Sequence, residues 1–144
     1  LTIQEYITKL TESINSFDED TNNAINIGGE ELNSQLKNRV FNENVDIAGS
    51  GFGGYSENYK AFRLALGGDI SKKNLQLTMR MRRGIGYDKE SKSLKFQDVE
   101  DAIKGRKNED FLNQRIFEAS VEETEIVISV IEEEYNKTQF DRLN

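Results

Sequence analysis

Between Gly49 and Tyr87 the sequence reads GSGFGGYSENYKAFRLALGGDISKKNLQLTMRMRRGIGY, and charge, glycine and aromatic content all change there. Two small helices are expected between glycine hinges. Within the stretch, Gly49, Gly51, Gly53 and Gly54 predict a mobile or sharply turned loop before Tyr55. Ser56 caps a short helix carrying Tyr59, Phe62, Arg63 and Leu66, which Gly67 and Gly68 stop. A second short helix is expected from about Ser71 through Leu75, Met79 and Met81 to Arg83, ended by Gly84 and Gly86.

Upstream, Ile3, Ile7, Leu10, Ile14 and Phe17 recur at helical spacing behind Thr2, a good N-cap. A stripe this narrow suits either a seam against another subunit or packing on the chain's own core. An acidic turn, Phe17 to Asp20, separates it from a second helix of about Thr21 to Phe41 using Ile25, Leu32, Leu36 and Val40. Gly28 and Gly29 interrupt that helix, where a kink is expected and close approach of a neighbouring helix is the alternative.

Downstream, Ile85 to Phe96 reads as a hairpin turned by Asp88 to Ser91, with Leu94 and Phe96 on one face and Lys95 on the other. Asp98 caps a helix expected to stop at Gly105, and Phe111 to Ala119 fits a strand or an extended linker. Ser120 and Glu123 form a capping box, after which Val121, Val127, Ile128, Val130, Ile131 and Tyr135 mark a helix with a broad apolar face. The predicted architecture is a single α+β domain over 1–144. Its N- and C-terminal helices pack on a small antiparallel sheet, with a glycine-flanked loop and short helices inserted.

The 144 residues hold no cysteine and no histidine. That removes thiolate metal sites, the commonest zinc ligand, the usual general base and every Ser-His or Cys-His nucleophile system, so no enzyme, metal or cofactor is expected. Glu132, Glu133 and Glu134 are consecutive on a helix, pointing about 100° apart, and read as a solvated face. GSGFGG lacks both the Gly-Lys-Ser/Thr of a phosphate loop and the preceding apolar strand of a dinucleotide fold. No apolar run is long enough for a membrane span and no signal segment opens the chain, which predicts a soluble protein.

Charge is segregated. From Tyr55 to Arg83 the chain carries Lys60, Arg63, Lys72, Lys73, Arg80, Arg82 and Arg83 against only Glu57 and Asp69, although the whole chain is at -7. The last part of the chain is acidic, and an acidic partner surface is expected opposite the basic segment.

Three stretches, "YSENYKAFR" followed by "NLQLTMRM", the upstream "NRVFNENVDIAGSGFGGYS" and the downstream "DAIKGRKNEDFLNQRIFEASVEETEIVISVIEEEY", together resemble the tail-completion proteins of tailed bacteriophages. These are the neck, tail-terminator and virion-morphogenesis proteins found between portal and tail. The likeness covers roughly Leu32 to Tyr135 and lies in spacing rather than in one motif. It implies a virion protein forming a homo-oligomeric ring of six or twelve copies, touching portal or adaptor and tail proteins, with genomic DNA passing through the lumen without sequence-specific binding. It implies no membrane partner.

On that reading the glycine-flanked segment is the main subunit contact, with Tyr55, Tyr59, Phe62 and Arg63 as anchors and Lys72, Lys73, Arg80, Arg82 and Arg83 facing a neighbour's acidic surface; the alternative for Tyr59 and Phe62 is ordinary core. A surface this polar predicts monomers before assembly. The alternative is a small nucleic-acid-binding protein using the basic segment 60–83 on phosphates, against which stands a pI of about 4.8.

Overall fold

The computed structural model describes residues 2–54, 56–68 and 80–144, with Arg80 as backbone only. Two long helices, α2 (Phe17–Lys37) and α6 (Val121–Leu143), run antiparallel and form the frame. The expected acidic turn is instead the first turn of α2, with only Ser16 between it and α1 (Ile3–Asn15). Asp18, Glu19 and Asp20 sit where the positive end of the helix dipole favours carboxylates.

The glycine pair does not break α2. A Cβ at Gly28 would overlap Ile131 of α6, and one at Gly29 would overlap the ring of Tyr87, so both glycines are places of close approach rather than a kink. Tyr87 is further fixed by its hydroxyl, which donates to Asn26 Oδ1 at 3.0 Å. Beyond Lys37 the helix widens into a π-helical turn, Asn38–Glu43, closed by Asn44 in the left-handed conformation at φ 59°. Arg39, Val40 and Phe41 are all buried there, which three consecutive residues achieve only where structure lies on several sides of the turn.

The sheet is the expected hairpin, β1 (Ile85–Asp88) paired antiparallel with β2 (Ser93–Phe96), with Ile85 opposite Phe96 and Tyr87 opposite Leu94. Asp88 accepts from the hydroxyl of Ser91 and from Lys95 Nζ, fixing the turn and holding its carboxyl well below the usual range. The core gathers Leu36, Val40, Phe41, Ile85 and Ile116, with Phe52, Leu94, Phe96 and Phe117 packed against it. N- and C-terminal helices thus pack together, and α2 leans on the hairpin.

Two expectations change. Helix α5 (Val99–Leu112) continues through Gly105, where a Cβ would lie only 2.9 Å from the ring of Phe96; the glycine marks a packing contact and no stop. Phe111 to Ala119 adds no strand: Phe111 and Leu112 end α5, Asn113 turns the chain at φ 51°, and an irregular linker follows that buries Ile116. The apolar face of α6 is also narrower than its sequence suggests, because Val121 and Ile128 are exposed.

The helix α1 is held through polar contacts. Ser13 Oγ hydrogen-bonds to Gln139 Oε1, and at the start of α2 Asp20 accepts from Gln139 Nε2 at 2.9 Å and from Arg142 Nε and Nη2 at 2.7 Å each. The Arg142 guanidinium, aided by Gln139, holds the Asp20 carboxyl below its ordinary value. A carboxylate depressed in the folded state stabilises above its unfolded value, and that stabilisation is lost as pH falls through the folded one. Asp20→Asn should therefore melt lower than the parent at pH 7, with the gap closing as pH drops below about 4; a gap independent of pH would contradict the pairing. Gly29→Ala, which gains about 1 kcal/mol at an ordinary helical site, should here cost roughly 1–3 kcal/mol against the Tyr87 ring in a thermal melt, while Gly51→Ala stays neutral.

Candidate functional site

Among the described residues, those of interest lie on surfaces and on the buried scaffold beneath them. Among the described residues, no three Asp or Glu side chains converge as they would to hold a metal ion. None of the described helices is long and apolar enough to cross a membrane.

The scaffold centres on Arg39. Its Nε donates to Glu123 Oε1 at 2.7 Å, Nη1 to the Val45 carbonyl at 3.2 Å, and Nη2 to the carbonyls of Ile116 at 2.9 Å and Glu118 at 2.7 Å. Glu123 Oε2 meanwhile accepts from the backbone N–H of Ser120 at 2.9 Å, so one carboxylate caps α6 and neutralises the buried guanidinium together. Sequence reasoning found the capping box and missed the ion pair. An arginine standing among Leu36, Val40 and Phe41 was the available signal, since arginine is seldom buried unless paired.

From this junction the glycine loop departs in a sharp turn that is pinned. Asp46 Oδ1 accepts from the N–H groups of Ala48 and Ser50 at 2.9 Å each, its Oδ2 accepts from Gln114 Nε2 at 2.8 Å, and Gln114 also reaches the Gly51 carbonyl. Burial alone would raise the Asp46 carboxyl, but the Ser50, Gln114 and Ala48 donors and the Arg39 charge together hold it below its usual value. Gly49 takes φ 81°, which a side chain would resist, and Ile47 N–H bonds the Arg115 carbonyl.

Helix α3 (Glu57–Ala65) follows, capped as expected by Ser56, whose hydroxyl accepts from Tyr59 N–H, and closed at Gly67 with φ 74°. It packs extensively on no other described element. Tyr59 and Phe62 stack at 5.9 Å between ring centres and are exposed, as are Leu64 and Leu66, whereas Arg63 is buried with its guanidinium 6.0 Å from the Tyr59 ring centre. Two of the expected anchors thus face solvent, and Arg63 lies beneath them.

The basic residues do not form one described patch. Lys60 pairs with Glu57 at 3.1 Å, Arg82 Nη1 donates to Asn42 Oδ1 at 2.9 Å, and Arg83 is exposed on the five-residue helix α4 (Arg80–Gly84). Tyr55, Lys72 and Lys73, the side chain of Arg80, and the expected helix from Ser71 as far as Met79 lie outside the described residues.

A second surface is the apolar stripe of α1. Ile3, Ile7, Leu10, Ile14 and Phe17 are exposed, Ile3 to 81%, and no residue of α1 is buried. Intramolecular packing, one of the two readings open for this stripe, does not cover it.

Comparison with known protein families, with curated proteins and with solved structures finds no match to this chain.

Removing one partner from a buried ion pair leaves the other charge uncompensated. Arg39→Met should cost about 3–5 kcal/mol in denaturant unfolding. Adding Glu123→Leu should recover part of that loss, a coupling of at least about 1 kcal/mol in the double-mutant cycle; strict additivity would mean the two groups do not act on each other.

Proposed function

We propose that this protein is a non-catalytic structural subunit of a tailed-phage neck, assembling into a homo-oligomeric ring between portal and tail. The observation that carries an assembly role is the distribution of apolar side chains. Among the described residues only six hydrophobic side chains are buried while eighteen large ones are exposed, so much of the apolar surface awaits neighbours. The spacing likeness to tail-completion proteins supplies the setting, and the net charge of -7 suits a lumen along which DNA slides without being held.

In this reading α3 is the main contact. Its stacked Tyr59 and Phe62 offer large, rigid area with a polar tip, presented by a loop that Asp46 and Gln114 pin to the body. The nucleic-acid alternative is weakened by Arg63, which is buried, and by Lys60 and Arg82, which already meet Glu57 and Asn42.

Phe62→Ala should shift the melting point of the isolated chain little, by the equivalent of about 0.5 kcal/mol, yet abolish ring assembly scored by particle reconstruction. A melting loss of core size would place Phe62 inside the fold instead. Charge reversal at Lys72, Lys73, Arg80 and Arg83 together separates the alternatives: lost DNA retention with intact assembly would favour phosphate contacts. Absence of the protein from purified virions would remove the neck assignment.

A further inference from the structure

We infer that the exposed stripe of α1 binds the same stripe of a second copy, as an antiparallel helix pair about a two-fold axis. The inference goes beyond the neck assignment and does not depend on it.

An ordinary amphipathic helix turns its apolar side inward. Here the inward side carries a polar contact, Ser13 with Gln139, and beyond the short break at Ser16 Asp20 of α2 meets Gln139 and Arg142. At about 100° per residue, the line through Ile3, Ile7, Leu10 and Ile14 lies roughly 90° around the helix from Ser13's line of contact with α6. The body of the protein fixes α1 by one side and leaves Ile3 and Ile14 mostly exposed, with Ile7 and Leu10 about half so. Continuing from it, Phe17 lines an apolar groove with Ala24, Ile131 and Tyr135, meeting the Tyr135 ring edge-on at 6.0 Å.

Three features select a second copy as the occupant. First, area: Ile3, Tyr6, Ile7, Leu10, Ile14 and Phe17 are each between 40% and 81% exposed. They present roughly 600 Å² per copy, and twice that reaches the about 1,200 Å² at which stable interfaces begin. Second, charge: the residues flanking the stripe are Gln4, Tyr6, Thr11 and Ser13, all neutral, while Glu5, Lys9 and Glu12 lie round the far side. Two copies of a strongly acidic chain can meet here without like charges facing across the seam.

Third, orientation: Ser13, through which α1 meets α6, lies toward the C-terminal end of α1, so antiparallel pairing puts the two acidic bodies toward opposite ends and sets Ile3 against Ile14 and Ile7 against Leu10. A lipid surface fits poorly, because α1 carries one lysine against two glutamates and has none of the basic flank that membrane-surface helices use. The expectation of a monomer rested on average polarity, to which this stripe is a local exception.

Sedimentation velocity over a concentration series tests the pairing. The intact chain should rise from its 16.5 kDa monomer toward twice that mass. Ile7→Glu with Ile14→Glu should stay monomeric and, at concentrations low enough for the parent to be monomeric too, melt at the parent's temperature. Because the chain has no cysteine, Ile3→Cys mixed with Ile14→Cys should form a disulfide-linked dimer while Ile3→Cys alone does not, a readout that leaves most of the stripe intact. The inference is overturned by a monomer at every concentration, by a glutamate variant that still dimerises or melts lower than the parent monomer, or by Ile3→Cys linking to itself. Binding to phosphatidylcholine–phosphatidylglycerol vesicles that the glutamates abolish, without any dimer, would overturn it in favour of a membrane.

Discussion

The buried guanidinium of Arg39 is the point on which the rest of the structure depends. It joins four stretches that backbone hydrogen bonding alone would not hold together: the π-helical turn it belongs to, the chain at Val45, the irregular linker at Ile116 and Glu118, and the first turn of α6 through Glu123. A linker with no strand partner has carbonyls to satisfy, and burying them without donors would cost about 1–3 kcal/mol each. One planar, always-charged side chain meets several of them, and Glu123 balances its charge. The π-helical widening serves the same end, because it lets Arg39, Val40 and Phe41 all point into structure and so places the charge beside the apolar core it organises.

What could be read from the sequence was whatever has a local cause. The caps at Thr2, Ser56, Asp98 and Ser120 depend on residues within three positions, and each is formed. The hairpin depends on Asp88 and its turn, and it too is where alternation put it. Gly28 and Gly29 were ambiguous, and Gly105 was misread as a stop, because a glycine reports that a side chain is excluded without saying by what. The excluding groups, Ile131, Tyr87 and Phe96, are distant in sequence. Phe111 to Ala119 failed to alternate for the same kind of reason: its conformation is set by Arg39 and by Asn113, neither of which leaves a period-two trace. Of the contact residues proposed, Tyr59 and Phe62 emerged exposed, but nothing local told that Arg63 beside them would be buried.

The two long helices divide the labour along their length. Near Arg39 they join the aromatic core. Midway, Gly28 lets α2 approach α6 closely, and toward the far end the contacts become polar through Asp20, Gln139 and Arg142. From Glu123 to Gln139 is about 24 Å of continuous helix. The α1 surface is thus tied to the Arg39 junction by a rigid member, although the two share no side chain. Disturbing α1 need not disturb the core.

Symmetry limits how the two exposed surfaces can act together. A ring seated between a portal on one side and a tail on the other has unlike faces, so its subunits are related by rotation about the channel and by no perpendicular two-fold axis. Contacts through α3 in such a ring would be head to tail. An α1 pair is instead isologous and would force the two faces of any assembly containing it to be equivalent. The pair and the proposed neck ring would therefore belong to different states of the chain. If both form, the free protein shields its apolar stripe in a dimer, and entry into the ring must exchange that partner for another neighbour. The modest area of the stripe suits such an exchange, since an interface of roughly 1,200 Å² sits at the weak end of stable association.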